Sequence, residues 1–267
     1  MKVYGSVLKL RLSMGMQYRA AALAGVATQF FWGFITIMVF EAFYEYAVQT
    51  PPISLREIIS YIWLQQAFLV FITMWFRDNE LFELITSGNI AYELCRPCEL
   101  YGFWYAKLLA QRLSSAILRC FPILFVSFLL PKPYNMTLPP SLTTFLLFLS
   151  ALLLGLFLLV AISMFLYISV FITMSPAGSL LVFSILGEFF AGLIIPVPLM
   201  PTWLQKIANV LPFRWTADFP FRVYSGHIPQ NEAMIGILIQ LGYLLVLVLL
   251  GRFALNRVIR KVVVQGG

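Results

Sequence analysis

Leu142–Thr173 reads LTTFLLFLSALLLGLFLLVAISMFLYISVFIT, and no residue in it is charged. About 20 consecutive apolar residues suffice for a helix to cross the hydrocarbon of a bilayer. This run is long enough to cross at a tilt or to protrude. Further apolar runs flank it on both sides, at about Ala21–Tyr46, Ile58–Phe76, Leu108–Leu130, Ser179–Ile195 and Ala233–Phe253. The composition agrees with this pattern. Of 267 residues, 61% are hydrophobic and 11% charged, and the mean hydropathy is +0.90. A soluble domain carries roughly a quarter charged residues, so the chain is neither an ordinary soluble domain nor a disordered one. The expected fold is an all-α polytopic membrane protein, a single transmembrane domain over residues 1–267. Within it, residues 1–20 form an interfacial helix, 21–257 a bundle of six transmembrane helices, and 258–267 a cytoplasmic tail.

The formal net charge is +7. Because the basic residues flank apolar runs, lipid headgroups and topology account for them better than nucleic acid does. On one side lie Lys2, Lys9, Arg11, Arg19, the connection with Arg77, Arg96, Lys107 and Arg112, and the tail with Arg252, Arg257, Arg260 and Lys261. The other side holds Arg56, Lys132, Lys206, Arg214 and Arg222. The richer side is expected to be cytoplasmic, which puts both termini inside and fits an even number of spans in an inner or plasma membrane. Val3, Val7, Leu10 and Met14 recur at helical spacing, as an amphipathic helix on the membrane surface would require. In the first span Ala20, Ala24 and Thr28, with Ala21 and Gly25 beside them, allow close helix approach in lipid.

Several chemistries find no support. Cys95 and Cys98 form a C-x-x-C with no second pair to complete a metal site, and Cys120 reads as a small packing residue. His227 is the only histidine, so a Ser–His–Asp set has no second candidate for its base and His227 reads as a surface residue. No G-x-x-x-x-G-K-[ST] motif is present to cradle nucleotide phosphates. No cofactor or metal, and no catalysis by the chain itself, is expected.

Two segments outside the spans carry a possible mechanism. In Arg77–Pro97, Asp78 or Asn79 is placed to cap a short helix ending near Gly88. Its apolar residues Leu81, Phe82, Leu84 and Ile85 need either the headgroup layer or a cytoplasmic protein partner. In Ala191–Phe221, Pro196, Pro198 and Pro201 stop the fifth span. Trp203, Leu204, Ile207, Ala208 and Leu211 then form a short amphipathic helix, re-entrant or interfacial, read as a lid or an outer gate. Two charges fall inside spans, Arg119 in the third and Glu188 in the fifth. A charge at mid-membrane costs at least about 2.5–3.5 kcal/mol, so they are expected to pair with each other or to line a translocation path. Glu41 and Glu45 sit near the outer end of the first span.

Together, six spans, an amphipathic N-terminal helix, a cytoplasmic helix between spans two and three and a G-x-x-x-P…P-x-W-L…P element after span five resemble the permease subunit of a type-2 ATP-binding-cassette exporter. The residues that carry this resemblance are Gly192, Pro196, Pro201, Trp203, Leu204 and Pro212, with Thr86-Ser87-Gly88-Asn89-Ile90 and Leu94-Cys95-Arg96-Pro97 in the cytoplasmic connection. The resemblance implies a pair of permeases, identical or related, each docked on a separate ATPase subunit that binds the ATP. It implies export of drugs, lipids, peptides or polysaccharides without choosing among them. Under it, Leu81, Phe82, Leu84, Ile85 and Gly88 couple to the ATPase, Arg119 and Glu188 belong to the path, and Pro196, Pro201, Trp203 and Leu204 form the outer gate. The alternative is a stand-alone channel or secondary transporter, although no internal repeat of the kind many transporters carry is visible.

Overall fold

The computed structural model describes residues 5–6, 9–10, 13, 19–95 and 97–260. Val3, Val7 and Met14 of the expected interfacial helix, together with Arg96, lie outside the described residues. Among the described residues the regular structure is helical, with no strand. In chain order the helices are α1 (Arg19–Glu45), α2 (Leu55–Ala67), α3 (Leu69–Ile72), α4 (Asn79–Thr86), α5 (Ile90–Leu94), α6 (Leu100–Leu129), α7 (Leu142–Thr173), α8 (Pro176–Phe190), α9 (Thr202–Val210), α10 (Asp218–Tyr224) and α11 (Gln230–Ile259). Single 3-10 turns occupy Val197–Leu199 and Phe213–Thr216.

Four of these helices, α1, α6, α7 and α11, are long and apolar enough to cross a membrane. The chain is a helical multi-pass membrane protein. The second and fifth expected spans take other forms. Where Ile58–Phe76 was expected to be one helix, the backbone breaks at Phe68 (φ −107°, ψ 22°) into α2 and α3. The fifth ends at Phe190 rather than Ile195, leaving α8 with 15 residues. At 1.5 Å per residue it spans about 22 Å, short of a hydrocarbon core of about 30 Å.

At the centre is α7, which packs along α11, α10, α8 and α6 and carries a run of buried residues from Leu158 to Met164. Around it the aromatic residues of α2, α6 and α10 fill the core, with Trp63, Trp104, Tyr61, Phe219 and Phe221 almost wholly buried. Outward faces stay apolar, as lipid contact requires: Phe121, Phe125, Leu181, Leu238, Leu245 and Phe253 are all exposed.

One end of the bundle is tied by polar contacts across the loop between α6 and α7. Trp63 Nε1 donates to the Tyr134 carbonyl at 2.8 Å, and Tyr224 Oη donates to that of Thr137 at 2.9 Å. Gln230 Nε2 reaches Ser141 Oγ at 2.9 Å. At the other end α4 lies against α7, and Arg252 of α11 pairs with Glu99 at 3.3 Å.

Candidate functional site

The α4 end is held by basic residues of α6. Lys107 is buried, with Nζ 3.4 Å from Asp78 Oδ2 and 2.9 Å from Glu80 Oε2. Asp78 is the N-cap of α4, accepting the Glu80 N–H at 3.0 Å. Its own N–H donates to Tyr167 Oη at 2.8 Å, and the Tyr167 ring stacks on Phe82 with centroids 4.7 Å apart. Next along α6 is Arg112, 2% exposed. Its Nη1 donates to the carbonyls of Val70 (2.6 Å) and Thr73 (2.8 Å), and its Nη2 to Phe76 (2.9 Å). A helix end leaves carbonyls without intrahelical donors. Here one guanidinium supplies them, so the interrupted second span ends inside the bundle without stranded backbone. Furthest along is Arg119, whose carbon Cζ lies 5.6 Å from the Phe76 ring centre. A β-carbon on Gly25 would lie 3.0 Å from the same Cζ, so glycine makes the space for this side chain.

These contacts correct the sequence reading of α4. Leu81, Phe82 and Ile85 are 0%, 6% and 4% exposed and form part of this chain's own core, so they are not a surface offered to another protein. An amphipathic pattern marks which face is buried, not against what, and α7 supplies the cover. The outward face holds Glu80, Glu83, Thr86 and Ser87, with Leu84 half-buried. Gly88 follows at φ +76°, a left-handed conformation that glycine adopts freely. Between α4 and the start of α8 runs a groove of about 660 Å³, with Trp75, Phe82, Glu83, Leu180 and Leu181 along it.

From the opposite end, α9 and α10 form a hairpin that reaches into the bundle. Its tip, the turn Phe213–Thr216, sits against Gly155, which is about 20 Å along α7 from Leu142. Gln240, wholly buried and about 15 Å along α11 from Gln230, donates Nε2 to the carbonyls of Trp215 (2.8 Å) and Ala151 (2.9 Å). The non-helical backbone at the tip is thereby covered by protein, as lipid requires. The segment Ala191–Phe221 thus packs into the bundle against α7 and α11.

A second polar cluster anchors the hairpin's base. Asp218, fully buried, accepts the Val197 N–H at 3.1 Å and faces Arg222 Nη1 at 3.3 Å. Its own N–H donates to the Ala191 carbonyl at 3.1 Å. Tyr61 Oη donates to the Gly192 carbonyl at 2.9 Å and Gln65 Nε2 to that of Leu193 at 2.8 Å. At Gly192 φ is +78° and a β-carbon would meet Tyr61 Oη at 2.8 Å, so glycine is required both for the turn and for the close approach. His227 is not the surface residue its isolation suggests. Its side chain is 20% exposed, and Nδ1 lies 3.5 Å from Glu57 Oε1. Burial, with the Arg222 guanidinium nearby, pulls the His227 imidazole below its usual range, against the opposing pull of Glu57 and Asp218.

The remaining expected site residues fall apart from one another. Arg119 and Glu188 form no ion pair within the chain: Arg119 faces Gly25 and Phe76, while Glu188 sits half-buried on α8. Matching depth along two helices does not set which faces meet. Of the expected gate residues, Pro196 is buried, Leu204 packs beside Val197, Met200 and Ala208, and Pro201 and Trp203 are exposed. Glu41 Oε2 accepts from Tyr134 Oη at 3.2 Å. Cys120 packs in the core, as its apolar setting suggested, and Cys95 and Cys98 are free thiols. Sequence reasoning overlooked Asp218 with Arg222, although the pair stands at i,i+4 in an apolar stretch and was visible there. The grip of Lys107 and Arg112 on residues 70–80 joins distant segments and left no local signal. No protein family, curated protein or solved structure matches the chain.

Proposed function

We propose that the chain is the transmembrane permease subunit of an ATP-driven exporter, of the kind the type-2 ATP-binding-cassette permeases represent. In this reading it crosses the membrane six times, with α2–α3 as an interrupted span and α8 as a short one. Both termini and α4 face the cytoplasm. The translocation path forms with a second permease copy or a related permease. A separate ATPase subunit binds and hydrolyses ATP, and the permease carries no catalytic residue or cofactor of its own.

One observation carries this reading: α7 holds α4 at one end and the re-entrant hairpin further along. Tyr167 fixes Asp78 and Phe82, and Gly155 receives Thr216, about 18 Å away on the same helix. A displacement of α4 therefore moves a rigid element that also bears the hairpin tip. A partner that binds one position of α4 more tightly than another shifts that equilibrium by its differential affinity and no more. The exposed rim Glu80, Glu83, Thr86 and Ser87 is the surface such a partner would hold. Affinity purification from native membranes, with identification of every co-purifying chain, tests the proposal. A stoichiometric ATPase is expected. Purification of the permease with no ATPase, together with transport activity by that preparation alone, would establish the stand-alone transporter instead.

A further inference from the structure

The groove of about 660 Å³ between α4 and the start of α8 carries charges of both signs at its mouth. Arg77 and Glu83 both line it, both are exposed, and neither belongs to an ion pair among the described residues. The neighbouring carboxylates of Asp78 and Glu80 are taken by Lys107. Arg77 Nε donates to Asn79 Oδ1 at 3.0 Å, and Asn79 stands one turn before Glu83, about 6 Å along α4. Cation and anion therefore face the same space without meeting each other. Beyond this mouth the lining turns apolar, with Trp75, Leu180 and Leu181. Ser184 is the deepest α8 residue of the lining, about 12 Å along the axis from Pro176. Its Oγ is buried without a hydrogen-bond partner, whereas Thr28, Thr36, Ser150 and Ser163 each donate to the carbonyl four residues earlier. Leu181 and Ile185, on the outer flank of α8, are 62% and 56% exposed.

Depth sorts these features in the order of a lipid molecule. Tyr167, near the end of α7, bonds Asp78 beside α4, and α8 starts just past that end and runs back into the bundle. The charged mouth therefore lies at the end of the bundle and the apolar floor towards its middle. Two unpaired opposite charges about a turn apart match a zwitterion, with a phosphate on the Arg77 fork and a primary ammonium on Glu83. The apolar floor matches an acyl chain, and an ester carbonyl at the depth of Ser184 supplies the acceptor that its hydroxyl lacks. A soluble zwitterion would leave Trp75, Leu180 and Leu181 without a role, and an anionic lipid would bring a like charge to Glu83. We propose that the groove seats a phosphatidylethanolamine, its headgroup bridging Arg77 and Glu83 and its acyl chains leaving past Leu181 towards Ile185. The seat goes beyond the exporter reading and needs only a bilayer. The bound lipid bridges α4 and α8.

The test uses the purified, delipidated full chain in detergent, titrated with phosphatidylethanolamine brominated on its acyl chains, with tryptophan quenching as the readout. A saturable component is expected that disappears in Trp75→Phe. Unbrominated phosphatidylethanolamine should displace the probe at about fivefold lower concentration than phosphatidylcholine, whose ammonium has no N–H, or phosphatidylglycerol, which has no ammonium. Glycerophosphoethanolamine, the same headgroup without its chains, should not displace it. Glu83→Ala should erase the preference for phosphatidylethanolamine over phosphatidylcholine, and Arg77→Gln should weaken both. Equal displacement by the three lipids from the unmodified chain would mean that the headgroup is not read, and displacement by glycerophosphoethanolamine would mean a soluble-zwitterion site. Either result overturns the proposal, as does a preference that survives Glu83→Ala or a saturable component that survives Trp75→Phe. If the variants fail to fold, the competition series on the unmodified chain decides alone.

Discussion

The same substitution at two glycines should have opposite effects. A β-carbon at Gly155 would stand 2.8 Å from the Thr216 carbonyl oxygen and 3.3 Å from the Thr216 carbonyl carbon and α-carbon, whereas ordinary contact begins at 3.4 Å. The obstacle is backbone, so no side chain can rotate away, and the hairpin tip must retreat by about 0.6 Å, the shortfall between those distances. That retreat also strains the Gln240 bond to Trp215. Overpacking of this kind costs about 1–3 kcal/mol. Replacing glycine by alanine inside a helix returns about 1 kcal/mol, so Gly155→Ala should be destabilising by about 0–2 kcal/mol. At Gly242 of α11 a β-carbon meets nothing within 4 Å. Only the helix preference acts there, so Gly242→Ala should stabilise by about 1 kcal/mol. The gap between the two variants, about 1–3 kcal/mol, isolates the contact between α7 and the hairpin. Unfolding in mixed micelles titrated with dodecyl sulfate, followed by far-ultraviolet circular dichroism, measures it. Two variants equal within about 0.5 kcal/mol would refute the claim that the tip is seated on α7.

Arg112→Leu leaves the carbonyls of Val70, Thr73 and Phe76 without their donor, at about 1–3 kcal/mol for each unsatisfied group, and should abolish monodisperse protein on size exclusion; Arg112→Lys should recover only part of it, because an ammonium lacks the fork. Since the folded His227 binds its proton less readily than an unfolded imidazole at about 6.5, the unfolded state takes up more protons below that pH and stability falls as the solution is acidified. The melting temperature should drop from about pH 7.5 to about pH 5.5, and His227→Gln should flatten that drop; an identical slope in the variant would remove His227 as its source. With the native cysteines replaced, Lys132→Cys and Asn231→Cys should react with an impermeant thiol reagent added outside sealed cells while Ser87→Cys should not, and the reverse pattern would invert the orientation. Gly226, at φ +78° and with its β-carbon position 2.7 Å from Pro140, is a poor site for such a probe.

What the sequence revealed depended on how local the cause was. The bounds of α7 are readable because an uncharged run flanked by Pro and Ser has one solution in lipid. The capped start of α4 at Asp78 and its end near Gly88 rest on neighbouring residues, and both stand in the structure. The end of α8 is only partly local: Gly192, at φ +78°, turns the chain with the Leu193 N–H donating to the Glu188 carbonyl at 3.0 Å, while Asp218, Tyr61 and Gln65 take up the backbone of Ala191, Gly192 and Leu193. Nothing within Ser179–Ile195 announces donors located tens of residues away. The end of α3 at Thr73 depends likewise on Arg112, from another helix. The partner of an amphipathic face is the least legible feature, and α4 shows why. The spacing of Leu81, Phe82 and Ile85 says that one side is covered, while only the packing of Tyr167 on Phe82 says that the chain covers it itself.

The proposal that a separate ATPase drives this membrane protein through α4 is tested most directly at Glu83, which is exposed on that helix. A photo-reactive amino acid placed at Glu83 and activated in native membranes should capture a P-loop ATPase as the principal adduct, with a weaker adduct when ATP is depleted. The same probe at Lys132, at the opposite end, should capture none. A Glu83 probe that yields only lipid adducts or copies of this chain, in membranes where transport is active, would contradict the account.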